Sequence, residues 1–561
     1  MRNVWLGAIL LVLSSGLQAQ EAVWLMLTDK GPQVSEQLAH PEHILSETAL
    51  AMRAAKGIAL TFEDLPVYST YADQIAATGL QIVGKSRWLN AVAVQGQLSQ
   101  LQAATSLPFV NGQTACATFT THGAGQEEIL NPDFDGAEAY GKAERQVEML
   151  NLIAYHEKGM TGKGVRVAVF DAGFPGTDTI PVFKKMRDEN RLLATYDFVE
   201  NDPFVFHKSS HGTQVLSTIA AYLPGKMIGT APDASFVLCR TENSGSERHV
   251  EEYNFMKAVE FADSVGVDII HASLGYTTFD EGEGDYTYED MDGNTAITTK
   301  AVDMAAARGI LVTISAGNEG SSRWHYIAAP CDADTVLCVG SVDKYTQHSR
   351  FSSYGPTYDG RIKPDVVALG TRTTLASPRG TLTAGNGTSY AGPLMAGFVA
   401  CLKQAHPESS HTEIIQAVRL SGDQAWSPDS AYGYGVPNAL VADEYLSSGK
   451  NLDKVVVAVG EMPLRGRKPQ TSVASSQVKF TTNPVSTVAV KGKKLSVATG
   501  NEAKIEEMVI MKGDQQVVIP AKNMKVKTTS AKIKTKYWLA GDYYITIKTD
   551  KYKEIIPFKI Q

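Results

Sequence analysis

The sequence predicts an α/β protein: a doubly wound parallel sheet with helices on both faces, preceded by a small α/β module and followed by a β-sandwich-like domain. Three observations carry that expectation. From Gly164 onward, continuous apolar stretches alternate with amphipathic ones, as strands do when crossover helices bury both faces of their sheet. Residues able to do chemistry fall at the ends of those strands or the starts of those helices, where open α/β sheets hold their sites. Beyond residue 450 the helical spacing gives way to short stretches rich in Lys, Thr and Val, which read as strands of a separate domain.

A chain of 561 residues has room for roughly three or four domains. An apolar share of 43% excludes a largely disordered or multi-span membrane protein. The opening MRNVWLGAILLVLSSGLQAQ runs from Arg2 through an apolar stretch to small residues, and predicts an export signal over 1–19. Its apolar core is too short for a stable span, and no later stretch approaches the ~20 apolar residues a span needs, so the mature chain is expected to be soluble and secreted or held at the cell surface. Residues 20–115 mix short strands and helices, including WLNAVAVQ (88–95), and a polar linker follows over 116–137.

The main domain is expected over 138–445. VRVAVF (165–170) is a strand ending at Asp171, and HGTQVLSTIAAYL starts a helix at His211. ASFVLCR is a strand, HVEEYNFMKAVEFADSVG a helix and VDIIHASLG a strand. A helix follows around 297–307, then the strands ILVTISAG and TVLCVGSV, then a helix opening at Ser389. A linker over 446–474 leads to the β domain at 475–561.

Charge divides the chain in the same place. From residue 451 there are 20 Lys and Arg against 9 Asp and Glu, whereas the remainder has 32 against 51. The lysines are spread along strand-like patterns and form no stripe, which argues against nucleic-acid binding and for a solvated face. Five cysteines leave at least one unpaired. Cys331 and Cys338 bracket a strand-like stretch and are candidates to bridge, a pairing the sequence leaves open. Cys239 and Cys401 sit in apolar runs and read as small hydrophobes.

Asp171, His211 and Ser389 matter together more than singly. A serine hydroxyl attacks well only when a base takes its proton, and that base needs a third group to fix its tautomer. Each residue alone has a plain structural explanation: a strand-end turn, a helix start, an N-cap. VAVFDAGF, HGTQVLST, SLGY, SAGNEG, FSSYGP, KPDVVALG and NGTSYAGPLMAG follow, in order and spacing, the motifs of the subtilisin-like serine peptidases, and residues 138–445 resemble that family.

The resemblance implies a secreted serine endopeptidase acting on protein or peptide substrates through an acyl-enzyme intermediate. It implies that Asp171 orients His211, that His211 is general base and then acid, and that Ser389 is the nucleophile. Asn318 would donate to the oxyanion together with the Ser389 N–H. Ser273, Leu274 and Gly275 would pair with the substrate backbone, while Ser315, Ala316 and Gly317 would wall the pocket for the side chain before the scissile bond. No cofactor is required for this chemistry.

Residues 20–115 resemble the family's propeptide, a folding template and inhibitor. From TTNPVSTVAV, with its Asn-Pro, to LAGDYYITIKTDKYKEIIPFKIQ, with its Gly-Asp-Tyr-Tyr, the tail resembles the C-terminal sorting domain of type IX secretion cargo, which would engage secretion machinery; an ordinary accessory β domain is the alternative. The sequence departs from the family's pattern at Ala172, where a hydroxyl residue usually follows the aspartate, and at Leu369, where proline is common. The acidic loop FDEGEGDYTYEDMDG (279–293) is a candidate for structural calcium but lacks calcium-hand spacing, and a solvated rim loop is the preferred reading. The rival function is a catalytically silent surface-binding protein on the same scaffold.

Overall fold

The computed structural model describes residues 22–116, 128–129, 139–245, 248–280, 284–425 and 427–449, together with the backbone of strands between 487 and 560. The export signal at 1–19, most of the 116–137 linker and the 451–474 part of the second linker lie outside the described residues. At the centre is a seven-stranded sheet. In chain order its strands are β1 (Arg166–Asp171), β2 (Leu192–Asp197), β3 (Ser235–Arg240), β4 (Ile269–Ala272), β5 (Leu311–Ser315), β6 (Val336–Val342) and β7 (Val366–Leu369). They lie in the spatial order β7-β6-β5-β4-β1-β3-β2, and every pairing is parallel.

Alternation along β1 shows how both faces are used. Val167 and Val169 enter one apolar cluster, Ala168 and Phe170 the other, as the two-residue period of a strand requires. The first cluster takes in helices α1 (His211–Ala220) and α4 (Thr388–Ala405); the second takes in α2 (Val250–Val265) and α3 (Ile297–Ala307). Because both faces are covered, the central strands are predominantly apolar, which is why the sequence revealed them. Strands β2 and β7 escaped the sequence reading, and they are the two edges of the sheet. β2 has only its last residue, Asp197, fully buried, so its pattern is weak; β7 is apolar and buried throughout but only four residues long, and it lies inside the motif KPDVVALG.

A disulfide joins Cys331 to Cys338, with Cα atoms 5.1 Å apart, resolving the pairing the sequence left open. Cys239 and Cys401 are free and buried, packed as the hydrophobes expected of them. In the C-terminal region the strands form two four-stranded sheets, antiparallel throughout the described pairings.

The N-terminal module has a four-stranded antiparallel sheet in the order Gln81–Ser86, Ala91–Gln95, Ala22–Leu27, Val110–Cys116. One of its faces covers the module's own core, including Leu25, Val92 and Val94. The other sends Trp24, Trp88 and Ala93 into the cluster beneath α2 and α3. Trp24 meets Tyr253 of α2 with ring centroids 5.1 Å apart, and the Arg308 guanidinium lies 4.1 Å over the Trp88 ring.

Ion pairs surround these rings. Arg53 binds Asp64 of its own module and Asp263 of α2, each at 2.8 Å. Arg87 binds Asp263 at 2.7 Å, Arg308 binds Asp64 at 2.9 Å, and Glu260 accepts from Ser86 Oγ at 2.5 Å. Burial works against the Asp64 carboxylate, yet Arg53 and Arg308 hold its pKa well below the usual range. Such pairs depend on both partners, since removing one strands a buried charge. Asp263→Asn is therefore expected to weaken docking of the module by on the order of 3 kcal/mol. The check is the urea midpoint of the Trp24 and Trp88 fluorescence change; an unchanged midpoint would show that the network does not hold the module.

Candidate active site

The carboxyl edge of the sheet assembles the predicted residues. Asp171 is the last residue of β1 and has no solvent exposure. Its Oδ1 accepts from the Ala172 N–H at 2.7 Å, so the backbone supplies a donor where the sequence lacks the expected hydroxyl. Nδ1 of His211, the first residue of α1, lies 3.0 and 2.9 Å from the two Asp171 oxygens. An ionised carboxylate can only accept, so Nδ1 carries the hydrogen and Nε2 keeps its lone pair. This approach needs Gly212: a Cβ there would meet the Gly173 carbonyl oxygen at 2.3 Å and Asp171 Cβ at 2.9 Å.

Burial disfavours a charged His211, but the charge and hydrogen bond of Asp171 outweigh it and raise the ring's pKa above 6.5. The side chain is 18% exposed, enough to meet a reactant. Its ring lies 5.8 Å from that of Tyr390, whose hydroxyl donates to Gln214 Oε1 at 2.7 Å. One turn of α1 is thus tied to the first turn of α4, which carries Ser389. Ser389 is half-buried, and its Oγ forms no hydrogen bond among the described residues.

Asn318 follows β5 and is exposed. Its Oδ1 accepts from the Thr388 N–H at 2.9 Å and the Thr388 hydroxyl at 3.0 Å, so the amide's NH₂ end faces away from both. Gly317 makes the turn before it at φ +102°, where a Cβ would also meet Ser353 Oγ at 2.8 Å.

The structure brings the predicted substrate-pairing and pocket-wall residues to the same place but turns one side chain of each set inward. Ser273 Oγ donates to the Ser389 carbonyl at 2.9 Å, and Ser315 Oγ to the Thr388 carbonyl at 2.9 Å. Their side chains hold the helix, and Leu274, half-buried, and Gly275, exposed, present the strand edge. Ala316 is buried.

Sequence reasoning missed Ala328, Thr388, Tyr390 and His271. Ala328 Cβ lies 3.0 Å from where a side chain on Gly275 would begin and 3.8 Å from the equivalent point on Gly317, so one methyl group touches both walls. Nothing in its local sequence signals that position. In the acidic loop, Asp285, Asp290 and Asp292 each accept from nearby backbone N–H groups and close local turns.

The subtilase family model matches residues 162–435, and a model described as the peptidase S8 propeptide domain of Bacteroidota matches residues 22–128. Among similar proteins, Subtilisin NAT of Bacillus subtilis subsp. natto is 31% identical over 322 residues, 56% of this chain and 74% of its own length. Subtilisin of Bacillus pumilus is 32% identical over 301 residues, covering 53% and 97%. Subtilisin Savinase of Lederbergia lenta is 29% identical over 290 residues, covering 52% and 94%.

The electrostatics give a direct check. The His211 ring, followed by histidine NMR, is expected to titrate above 6.5, because its cation faces Asp171. In Asp171→Asn burial acts alone and the titration should move below 6.5. A midpoint that ignores the substitution would show that Asp171 does not set the charge of His211.

Proposed function

This chain belongs to the subtilase family and is a subtilisin-like serine endopeptidase, and on that premise we propose that Asp171, His211 and Ser389 are its catalytic triad and Asn318 its oxyanion donor. The observation that carries the reading is the His211 ring, held through Nδ1 by a buried carboxylate so that Nε2 stays a base. Ser389 Oγ attacks the scissile carbonyl while Nε2 takes its proton, and the contact between them closes as substrate seats. The oxyanion accepts from the Asn318 NH₂ and from the Ser389 N–H, an unpaired donor in the first turn of α4. His211 then gives its proton to the leaving amine, and water releases the acyl group by the same steps in reverse roles.

The substrate backbone adds as a strand along Ser273, Leu274 and Gly275. The side chain before the scissile bond sits between that edge and Ser315, Ala316 and Gly317, facing the Ala328 methyl. The module at 22–116 is proposed as a propeptide that keeps the precursor inactive and leaves by cleavage between Cys116 and Tyr140. Residues 1–19 direct export, and residues 475–561 are proposed as a sorting domain for type IX secretion. The charge shift and the tail's motifs support that last reading; normal export of a chain lacking 475–561 would refute it.

A fluorophosphonate probe is expected to label Ser389 once per active chain, and Ser389→Ala to lose both label and hydrolysis; hydrolysis retained by that variant would overturn the triad. Asn318→Ala is expected to lower kcat by about 10²–10³-fold with little change in KM. That magnitude is borrowed from removal of the equivalent donor in a subtilisin. A purely structural Asn318 predicts instead a lower Tm with kcat per labelled site unchanged.

A further inference from the structure

The Ser389 carbonyl has lost its helical donor. In α4 it would accept from the N–H four residues on, but that residue is Pro393, which has none. Ser273 Oγ takes that place at 2.9 Å. The same oxygen lies 2.8 Å from Nε2 of His271, a wholly buried residue of β4. A serine hydroxyl has one proton to give, and it cannot serve both neighbours.

The His271 tautomer decides where that proton goes. With its hydrogen on Nδ1, the ring donates to the Thr313 carbonyl at 3.2 Å, Nε2 consumes the Ser273 proton, and the Ser389 carbonyl is left bare. With its hydrogen on Nε2, the ring donates to Ser273 Oγ and frees that hydroxyl for Ser389. Nδ1 then accepts from Thr313 Oγ1 at 2.9 Å. Ser315 cannot substitute, because its own proton goes to the Thr388 carbonyl. The second arrangement gives both His271 nitrogens, the Ser273 hydroxyl and the Ser389 carbonyl a partner, with the Thr313 hydroxyl spent on Nδ1 at 2.9 Å in preference to the Ile270 carbonyl at 3.4 Å, as buried polar atoms require.

We propose that His271 is a positioning residue of the peptidase site: as its Nε2–H tautomer it relays a one-way chain from Thr313 Oγ1 through Ser273 Oγ to the Ser389 carbonyl, fixing the turn that aims Ser389 Oγ. The helix rests directly on this chain. A Cβ at Gly392 would meet Ser315 Oγ at 2.4 Å and His271 Cε1 at 2.9 Å. Burial, aided by the nearby His211, pushes the His271 pKa down to about 3, so the ring stays neutral while His211 titrates. The inference rests on Ser389 being the nucleophile.

The test compares His271→Leu with His271→Gln in the mature peptidase. Leu removes both ring contacts, whereas Gln offers an oxygen toward Thr313 and an N–H toward Ser273. In Leu, kcat should fall at least tenfold with KM within twofold, and fluorophosphonate should label Ser389 more slowly but to the same final stoichiometry. Gln should restore most of kcat. A Leu variant with kcat within twofold of wild type, or a Gln variant as slow as Leu, overturns the proposal. Histidine ¹⁵N shifts of the wild type should report the Nε2–H form for His271; the Nδ1–H form overturns the proposal even if neither variant folds. A wild type whose label is not on Ser389 would instead remove the triad reading beneath it.

Discussion

A carboxylate with no exposure to water is the constraint on which the rest depends. Asp171 ends a strand flanked on both sides, and a charge there persists only if it is paired and hydrogen-bonded. The Ala172 N–H supplies one donor and the His211 ring the other. Bringing the ring there forces α1 to begin hard against β1, which only glycine at 212 permits. Once α1 is set, Gln214 receives the Tyr390 hydroxyl and fixes where α4 begins. The position of Ser389 follows from the need to give buried Asp171 hydrogen-bond donors.

The first turn of α4 is held largely from outside the helix. Asn318 takes the Thr388 N–H, Ser315 the Thr388 carbonyl and Ser273 the Ser389 carbonyl. This compensates for a sequence, TSYAGPLMAG, with two glycines and an internal proline, each unfavourable in a helix. The helix is stable because it is buried between α1 and the sheet, and packing outweighs propensity. One consequence is mechanical: the proposed substrate-pairing edge is tied to the turn bearing Ser389 through the Ser273 hydroxyl.

How much of this was legible in the sequence follows from the same physics. Strands β1, β3, β4, β5 and β6 announced themselves because burial on both faces makes them predominantly apolar. The edge strand β2 did not, since its partly exposed face breaks the pattern; β7 is apolar and buried but short, and it is hidden inside the motif KPDVVALG. Asp171, His211, Asn318 and Ser389 fall at readable strand ends and helix starts, but it is the resemblance of their motifs to those of the subtilisin-like peptidases that singled them out. What Ser273 and Ser315 do with their side chains was not readable, because it depends on a proline four residues beyond Ser389 and on which hydroxyl has a proton to spare. His271 looked like one more residue of a buried strand. Its importance appears only when donors and acceptors are counted in three dimensions.

Two charged assemblies of this molecule, around Asp171 and around Asp263, follow different logic. Around Asp171 the partners are permanent and come from one folded unit. Around Asp263, α2 supplies two carboxylates, Glu260 and Asp263, and Arg308 follows α3, while Arg53, Arg87 and a third carboxylate, Asp64, come from the N-terminal module. If that module is a propeptide, as proposed, α2 must later face water. A docking face made only of apolar side chains would then expose a sticky patch. Glu260 and Asp263 avoid this: they are paired while the module is docked, and solvated once it has gone. A charged interface costs more to form than an apolar one of the same area, and that cost suits a contact that must hold during folding and afterwards let go.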